Sequence, residues 1–177
     1  RPRRAGCHCP MSPRPFLSLL LGATLTLGCG APSEPSGTSL GLELRLSQSV
    51  ASEVGAFQVV VLRNGRQRRC AELQRACVQQ QVKPDDLVVI QGPDDKKARA
   101  LRFPAALSNG GTQQMSADIP VGRDYVVIIE ALSRTNPPRF LGSSCNYLDS
   151  VSATRNEPLI AAPITLTALD CDPTIAP

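Results

Sequence analysis

The sequence predicts an all-β protein built as a single antiparallel β-sandwich. Three observations carry that prediction. From Leu40 onward apolar and polar residues alternate with a period of two. Turn-forming residues recur between the apolar runs. No sustained 3.6-residue period competes with these runs, apart from Ala71 to Val78. The chain has 177 residues, enough for one domain with a core and short for two. The sandwich is expected over residues 40–177.

The elements follow in order. LGLELRLS puts Leu40, Leu42, Leu44 and Leu46 on one face and Gly41, Glu43 and Arg45 on the other, the pattern of a half-buried strand. AFQVVVLR is apolar on both faces, so it reads as a central strand. Asn64-Gly65 after it suits a two-residue hairpin turn, because both residues tolerate positive φ. Further runs are Leu87–Ile90, Ala98–Phe103, Gln114–Ile119, Tyr125–Leu132, Arg139–Cys145 and Ile160–Leu169. Gly92-Pro93-Asp94-Asp95, Asn109-Gly110-Gly111, Pro120-Val121-Gly122 and Asn136-Pro137-Pro138 separate them. About eight short strands at this spacing read as a sandwich.

Ile119-Pro120-Val121-Gly122-Arg123-Asp124-Tyr125, followed by VVIIEAL, resembles the Pro-Gly step of transthyretin-like and other Ig-like bacterial envelope domains. The resemblance implies that Tyr125 packs inward. It also implies that a later strand, Ile164–Leu169, closes the domain. Fold alone does not settle function.

The N-terminal part has a different character. Residues 1–10, RPRRAGCHCP, show no structural pattern and read as an extension upstream of the true start at Met11. Residues 11–28 form an export signal, with Arg14 as the positive region and Phe16–Leu27 as an apolar stretch of 12 residues. A membrane span needs about 20. Thr26-Leu27-Gly28-Cys29 resembles the lipobox of bacterial lipoproteins, with Thr26 and Leu27 in the reverse of the family's usual order. That resemblance implies cleavage before Cys29 and a diacylglycerol on its thiol. Residues 29–39 then form a lipid-attachment site and a Pro/Ser/Gly-rich tether. Gly30, where the family's inner-membrane signal would be Asp, implies outer-membrane placement in a cell with two membranes. The rival is ordinary cleavage near Gly30 or Ala31, giving a soluble secreted protein.

Of seven cysteines, Cys7 and Cys9 precede Met11 and Cys29 is the lipid site. Cys70, Cys77, Cys145 and Cys171 remain, the even number an exported disulfide-bonded domain should hold. Four cysteines allow three connectivities. The expected one is Cys70–Cys77 with Cys145–Cys171. A disulfide holds Cα atoms about 4.4–6.8 Å apart. A continuous helix over that interval would span about 10.5 Å. The chain must therefore turn back through AELQRA, a helix-favouring segment.

Composition narrows the chemistry. The single histidine, His8, and the absence of Trp argue against His-ligated zinc, a Ser-His-Asp triad and a Trp-lined sugar platform. The paired carboxylates Asp85-Asp86, Asp94-Asp95 and Asp170-x-Asp172 stand beside turn residues and lack an EF-hand frame. Arg66, Arg68 and Arg69 form the densest basic cluster, with no interleaved aromatics for nucleic acid to stack on. The net charge of +4 belongs to Arg1, Arg3, Arg4 and Arg14, and without them 15 basic residues face 15 acidic ones. No catalytic, metal or cofactor residues are expected, and no nucleic-acid partner. The expected partners are the membrane, through the lipid, and an envelope protein or glycan. The expected function is a non-catalytic envelope lipoprotein whose domain serves for binding or structure. The alternatives are a secreted binding or inhibitor domain and an Asp-dependent exported hydrolase.

Overall fold

The computed structural model describes residues 37–107, 109–167 and 169–175. The expected extension 1–10, the signal 11–28, Cys29 and residues 30–36 of the tether lie outside the described residues. All described residues belong to one compact unit.

Two five-stranded sheets face each other, as the alternating pattern predicts. In the first, β1 (Thr38–Leu46) pairs antiparallel with β6 (Gly111–Ile119) in an unbroken register from Thr38↔Ile119 to Leu46↔Gly111. β1 begins two residues before the expected domain start. Its four leucines all point inward and are buried. Gln113, Met115, Ala117 and Ile119 do the same from β6. Short strands β3 (Ile90–Gln91) and β4 (Lys97–Ala98) extend the β6 side, and β9 (Leu159–Ile160) extends the β1 side. The β9 pairing is parallel, an exception to the antiparallel expectation.

The second sheet runs β10 (Thr165–Leu166), β8 (Phe140–Val151), β7 (Gly122–Ser133), β2 (Val54–Arg63), β5 (Ala100–Pro104). Its central strands β2 and β7 are apolar on both faces because both faces are covered. Phe57, Val59, Val61, Tyr125, Val127 and Ile129 face the first sheet and complete the main core. Val60, Leu62, Val126 and Ile128 face the other way, under Leu73, Val78 and Leu87. Two single-turn helices, α2 (Cys70–Leu73) and α3 (Val78–Gln81), thus form part of a third layer on the outer face of the second sheet. A first short helix, α1 (Gln48–Glu53), links β1 to β2 and buries Ala51 in the main core.

Three sequence expectations need correction. Asn64-Gly65 does not form a hairpin. Asn64 takes the left-handed conformation, but a 3-10 turn over Gly65–Gln67 follows, and β2 pairs with β5 and β7 instead. Gly65 lies so close to β7 that an added Cβ would stand 2.6 Å from the carbonyl oxygen of Tyr125. The Arg66 N–H donates to Asp124 Oδ1 at 2.7 Å and fixes the same approach. Second, the run Ala98–Phe103 is not one strand. It bends at Arg99 and passes from the first sheet to the second. Third, among its described residues Ile160–Leu169 yields only β9 and β10, which cross between the sheets at the opposite edge. These two crossings leave only very short strands at three of the four sheet edges, a common protection against edge pairing. Asn146, buried on β8, holds the second crossing by accepting the Ala162 N–H at 2.6 Å.

Tyr125 packs inward, as expected, and its hydroxyl donates to the Pro120 carbonyl at 3.1 Å. A Cβ at residue 122 would collide with that hydroxyl, which accounts for glycine there.

Candidate functional site

The unusual part of the molecule is the outer face of the second sheet. Four cysteines fasten the third layer there, but in a different pairing from the one expected. Cys70 bonds Cys145 (Cα–Cα 5.4 Å) and Cys77 bonds Cys171 (6.0 Å). The reason lies in strand parity. In β8, Asn146 and Ser144 face the core, so Cys145 between them faces outward, where α2 lies. Cys70 opens α2 against that face. Cys77 caps α3 on the far side of the turn and meets the C-terminal segment, with its N–H 3.1 Å from Cys171 Sγ. A turn over residues 74–76 separates α2 from α3, and each cysteine meets a strand or tail and not the other.

Trypsin can test this pairing directly. Cleavage after Arg75 separates Cys70 from Cys77, and cleavage after Arg155 separates Cys145 from Cys171. A non-reducing digest should contain the Cys70 peptide joined to the Cys145 peptide and no free thiol among the four. A Cys70 peptide joined to the Cys77 peptide would refute it.

Beneath this layer a polar row crosses four strands. Register sets it out: Arg102 on β5 stands opposite Gln58 on β2, Gln58 opposite Glu130 on β7, and Glu130 opposite Ser143 on β8. Glu130 is fully buried and Gln58 is 1% exposed. Both must therefore be hydrogen-bonded to be tolerated. Glu130 Oε1 accepts the Val78 N–H at 2.8 Å, at the start of α3. Its Oε2 accepts Gln58 Nε2 at 2.8 Å. The same Nε2 donates to the carbonyl of Pro173 at 2.7 Å, which holds the C-terminal segment over the row. Gln58 Oε1 accepts Arg102 Nε at 2.9 Å. Burial pushes the Glu130 carboxyl above its ordinary range, against the pull of these donors and of the Arg102 charge.

The row ends in the open. Beyond Arg102 lies a cleft of about 390 Å³, walled by the Gly92–Lys96 turn, by β5 and by Thr174 and Ile175 of the C-terminal segment. Lys96, Arg99 and Arg102 bring positive charge to it, Asp94 a carboxylate, and Phe103 and Ile175 an apolar surface. Among the described residues, the terminal amino groups of Arg102 and the ammonium of Lys96 have no hydrogen bond or ion pair. A second cleft of about 500 Å³, lined by Leu42, Phe103, Met115 and Pro158 among others, shares Pro93 and Phe103 with the first.

No family model matches the chain, and neither a curated protein nor a solved structure does. The site therefore has to be read from its own geometry.

The residues singled out in the sequence are dispersed. Cys29 lies outside the described residues. Arg68 pairs with Asp86 at 2.9 Å, and its guanidinium holds that carboxyl below its usual range. Arg69 meets Glu72 at 3.5 Å, so two of the three clustered arginines are engaged with acids. Asp95 accepts Gln91 Nε2 at 2.9 Å within its turn. Asp172 accepts from Thr174, which keeps its carboxyl low, with a smaller contribution from the Arg102 charge. Asp85 and Asp170 are exposed. Among the described residues no group of three or more Cys, Asp or Glu stands where it could hold a metal ion. Among them, too, no helix is long and apolar enough to cross a membrane.

Gln58, Arg102 and Glu130 are not among the residues that the sequence motifs single out. A signal was present. Glu130 and Gln58 each interrupt an otherwise apolar strand that reads as buried on both faces. An ionisable group in such a run needs partners, and those partners mark a site.

Proposed function

We propose that this chain is a lipid-anchored envelope protein, attached through Cys29, whose disulfide-bonded sandwich is a non-catalytic binding module. The observation that carries the reading is the paired state of all four domain cysteines. Disulfides of this kind persist in oxidising compartments and are rare in the cytosol. The signal-like segment 11–28 and the lipobox-like Thr26-Leu27-Gly28-Cys29 supply the route there. The Pro/Ser/Gly-rich stretch after Cys29 supplies the tether. Gly30 supports the outer membrane as the destination.

A binding role is supported by the cleft beside Arg102. Its volume falls in the range of small-ligand sites, and it combines an apolar floor with a few fixed polar groups. Of the paired aspartates, Asp86 and Asp95 are engaged in ion pairing or turn hydrogen bonds, which favours structural roles over acid–base work.

Intact mass of the protein recovered from membranes tests the anchor. A diacylglyceryl adduct on an N-terminal Cys29 is expected. An unmodified chain starting at Ala31 or Pro32 would replace the anchored form with a secreted one.

A further inference from the structure

We propose that the cleft beside Arg102 binds a carboxylate carried on a compact, hydroxyl-bearing body, the chemistry of a uronic-acid saccharide. This rests on reading the domain as a binding module and names the ligand class of that module.

Arg102 carries the argument. Its guanidinium is a planar fork, and such forks bind planar oxyanions through two parallel N–H bonds when their orientation is fixed. Here the orientation is fixed from behind. Nε is held by Gln58 Oε1 at 2.9 Å, and Gln58 is itself locked between Glu130 and the Pro173 carbonyl. The row engages the guanidinium through Nε, and Arg102 lines the cleft with no hydrogen bond to its terminal amino groups among the described residues. A surface arginine placed only for solubility needs no such support. A buried glutamine and a buried glutamate aligned in register behind it make a rigid mount. A mount of this kind lowers the ordering cost of binding.

The remaining groups define what is attached to the carboxylate. Lys96 adds a second cation on the facing turn. Asp94 on the same turn is an acceptor; its Oδ1 lies 3.4 Å from the Lys96 N–H. A carboxylate at that wall repels a second anionic group and accepts hydroxyls, which favours one acid with hydroxyl neighbours over a polyanion. Phe103 and Ile175 offer apolar contact to a ring face. No ion pair joins Arg102 to Asp172 or Glu130, the carboxylates whose fields reach it.

The full chain should be titrated by calorimetry with digalacturonate, with its methyl ester, and with decanoate. The expected result is binding of the acid at least tenfold tighter than of the ester and of decanoate. Arg102→Lys keeps the charge but loses the fork, and it should weaken the acid at least tenfold. Lys96→Gln, remote from the buried row, should weaken it about threefold, which keeps the test valid if Arg102 variants fold poorly. Equal affinity for acid and ester overturns the carboxylate assignment. Decanoate binding as tightly as digalacturonate overturns the saccharide assignment. Absence of binding by every acid overturns the ligand class, whereas a missing lipid adduct on Cys29 would overturn the anchor and leave the cleft standing.

Discussion

Replacing Cys77 and Cys171 together by alanine is expected to lower stability by about 2–4 kcal/mol and to loosen the C-terminal segment first. The two cysteines are 94 residues apart in sequence, so in the chain-entropy view the bridge closes a long loop. Such a loop is worth roughly 4–5 kcal/mol when it is the sole cross-link. It is not alone. Cys70–Cys145, separated by 75 residues, overlaps it and already shortens the path between Cys77 and Cys171. The loss should therefore fall below the sole-bridge figure. The local consequence is more specific. Pro173 and Thr174 stand two and three residues after Cys171. Without the bridge, the Pro173 carbonyl is held mainly by Gln58 Nε2. Loss of Cys70–Cys145 should disturb its own region less. The segment from Arg68 to Gln74, which contains α2, keeps further ties to β8: Tyr147 Oη donates to the Arg68 carbonyl at 2.6 Å, and Gln74 Nε2 donates to the Ser143 carbonyl at 3.0 Å. A urea midpoint and amide exchange at Val78 measure the two effects. An unchanged midpoint and unchanged protection would mean that the bridge contributes nothing to the fold.

How much of this was legible in the sequence depends on the element. β1 could be read residue by residue, because one face is solvated and the leucines alternate cleanly. β2 and β7 were legible as central strands, yet their two-sided burial implied a cover that periodicity alone does not identify. The cover is two single helical turns, and the helical pattern over Ala71–Val78 marks their place without showing that they lie on this sheet. The run Ala98–Phe103 looked like one strand because apolar content persists through the bend at Arg99. What divides it is which sheet each half joins, a tertiary fact. The disulfide pairing failed for a related reason. Distance along the chain limits which cysteines can meet locally, but the facing direction of Cys145 follows from register in β8. The polar row is another product of register. Arg102, Gln58 and Glu130 are scattered in sequence and become neighbours only when β5, β2 and β7 align. The proposed export and lipidation rest on local motifs of the leader, which lies outside the described residues.

Glu130→Gln, the smallest change at the centre of that row, should destabilise the domain by about 1–3 kcal/mol near neutral pH. Each carboxylate oxygen of Glu130 accepts one donor, Val78 N–H or Gln58 Nε2. A glutamine has one oxygen, so its amino group must face a donor whichever way it turns. Turning Gln58 to compensate would break its bonds to Arg102 and Pro173. Against these losses, the variant removes the cost of holding a charge in a buried site, and that gain depends on pH. In the unfolded chain the Glu130 carboxyl ionises at about 4.3. In the fold, burial keeps its proton on to higher pH. Between those two values the folded state binds more protons than the unfolded one. The contribution of the neutral carboxyl is therefore complete below the unfolded value and is lost as pH rises through the folded one. Asp86, held low by Arg68, has the opposite dependence, its contribution being lost in acid, but it is common to both proteins and cancels in their difference. Thermal or urea unfolding of the two proteins from about pH 4 to 8 should thus show the wild-type advantage largest in acid and shrinking toward neutrality. A difference that stays constant across that range would mean that the buried carboxyl titrates as it does in the unfolded chain, and that the row carries an ordinary charge.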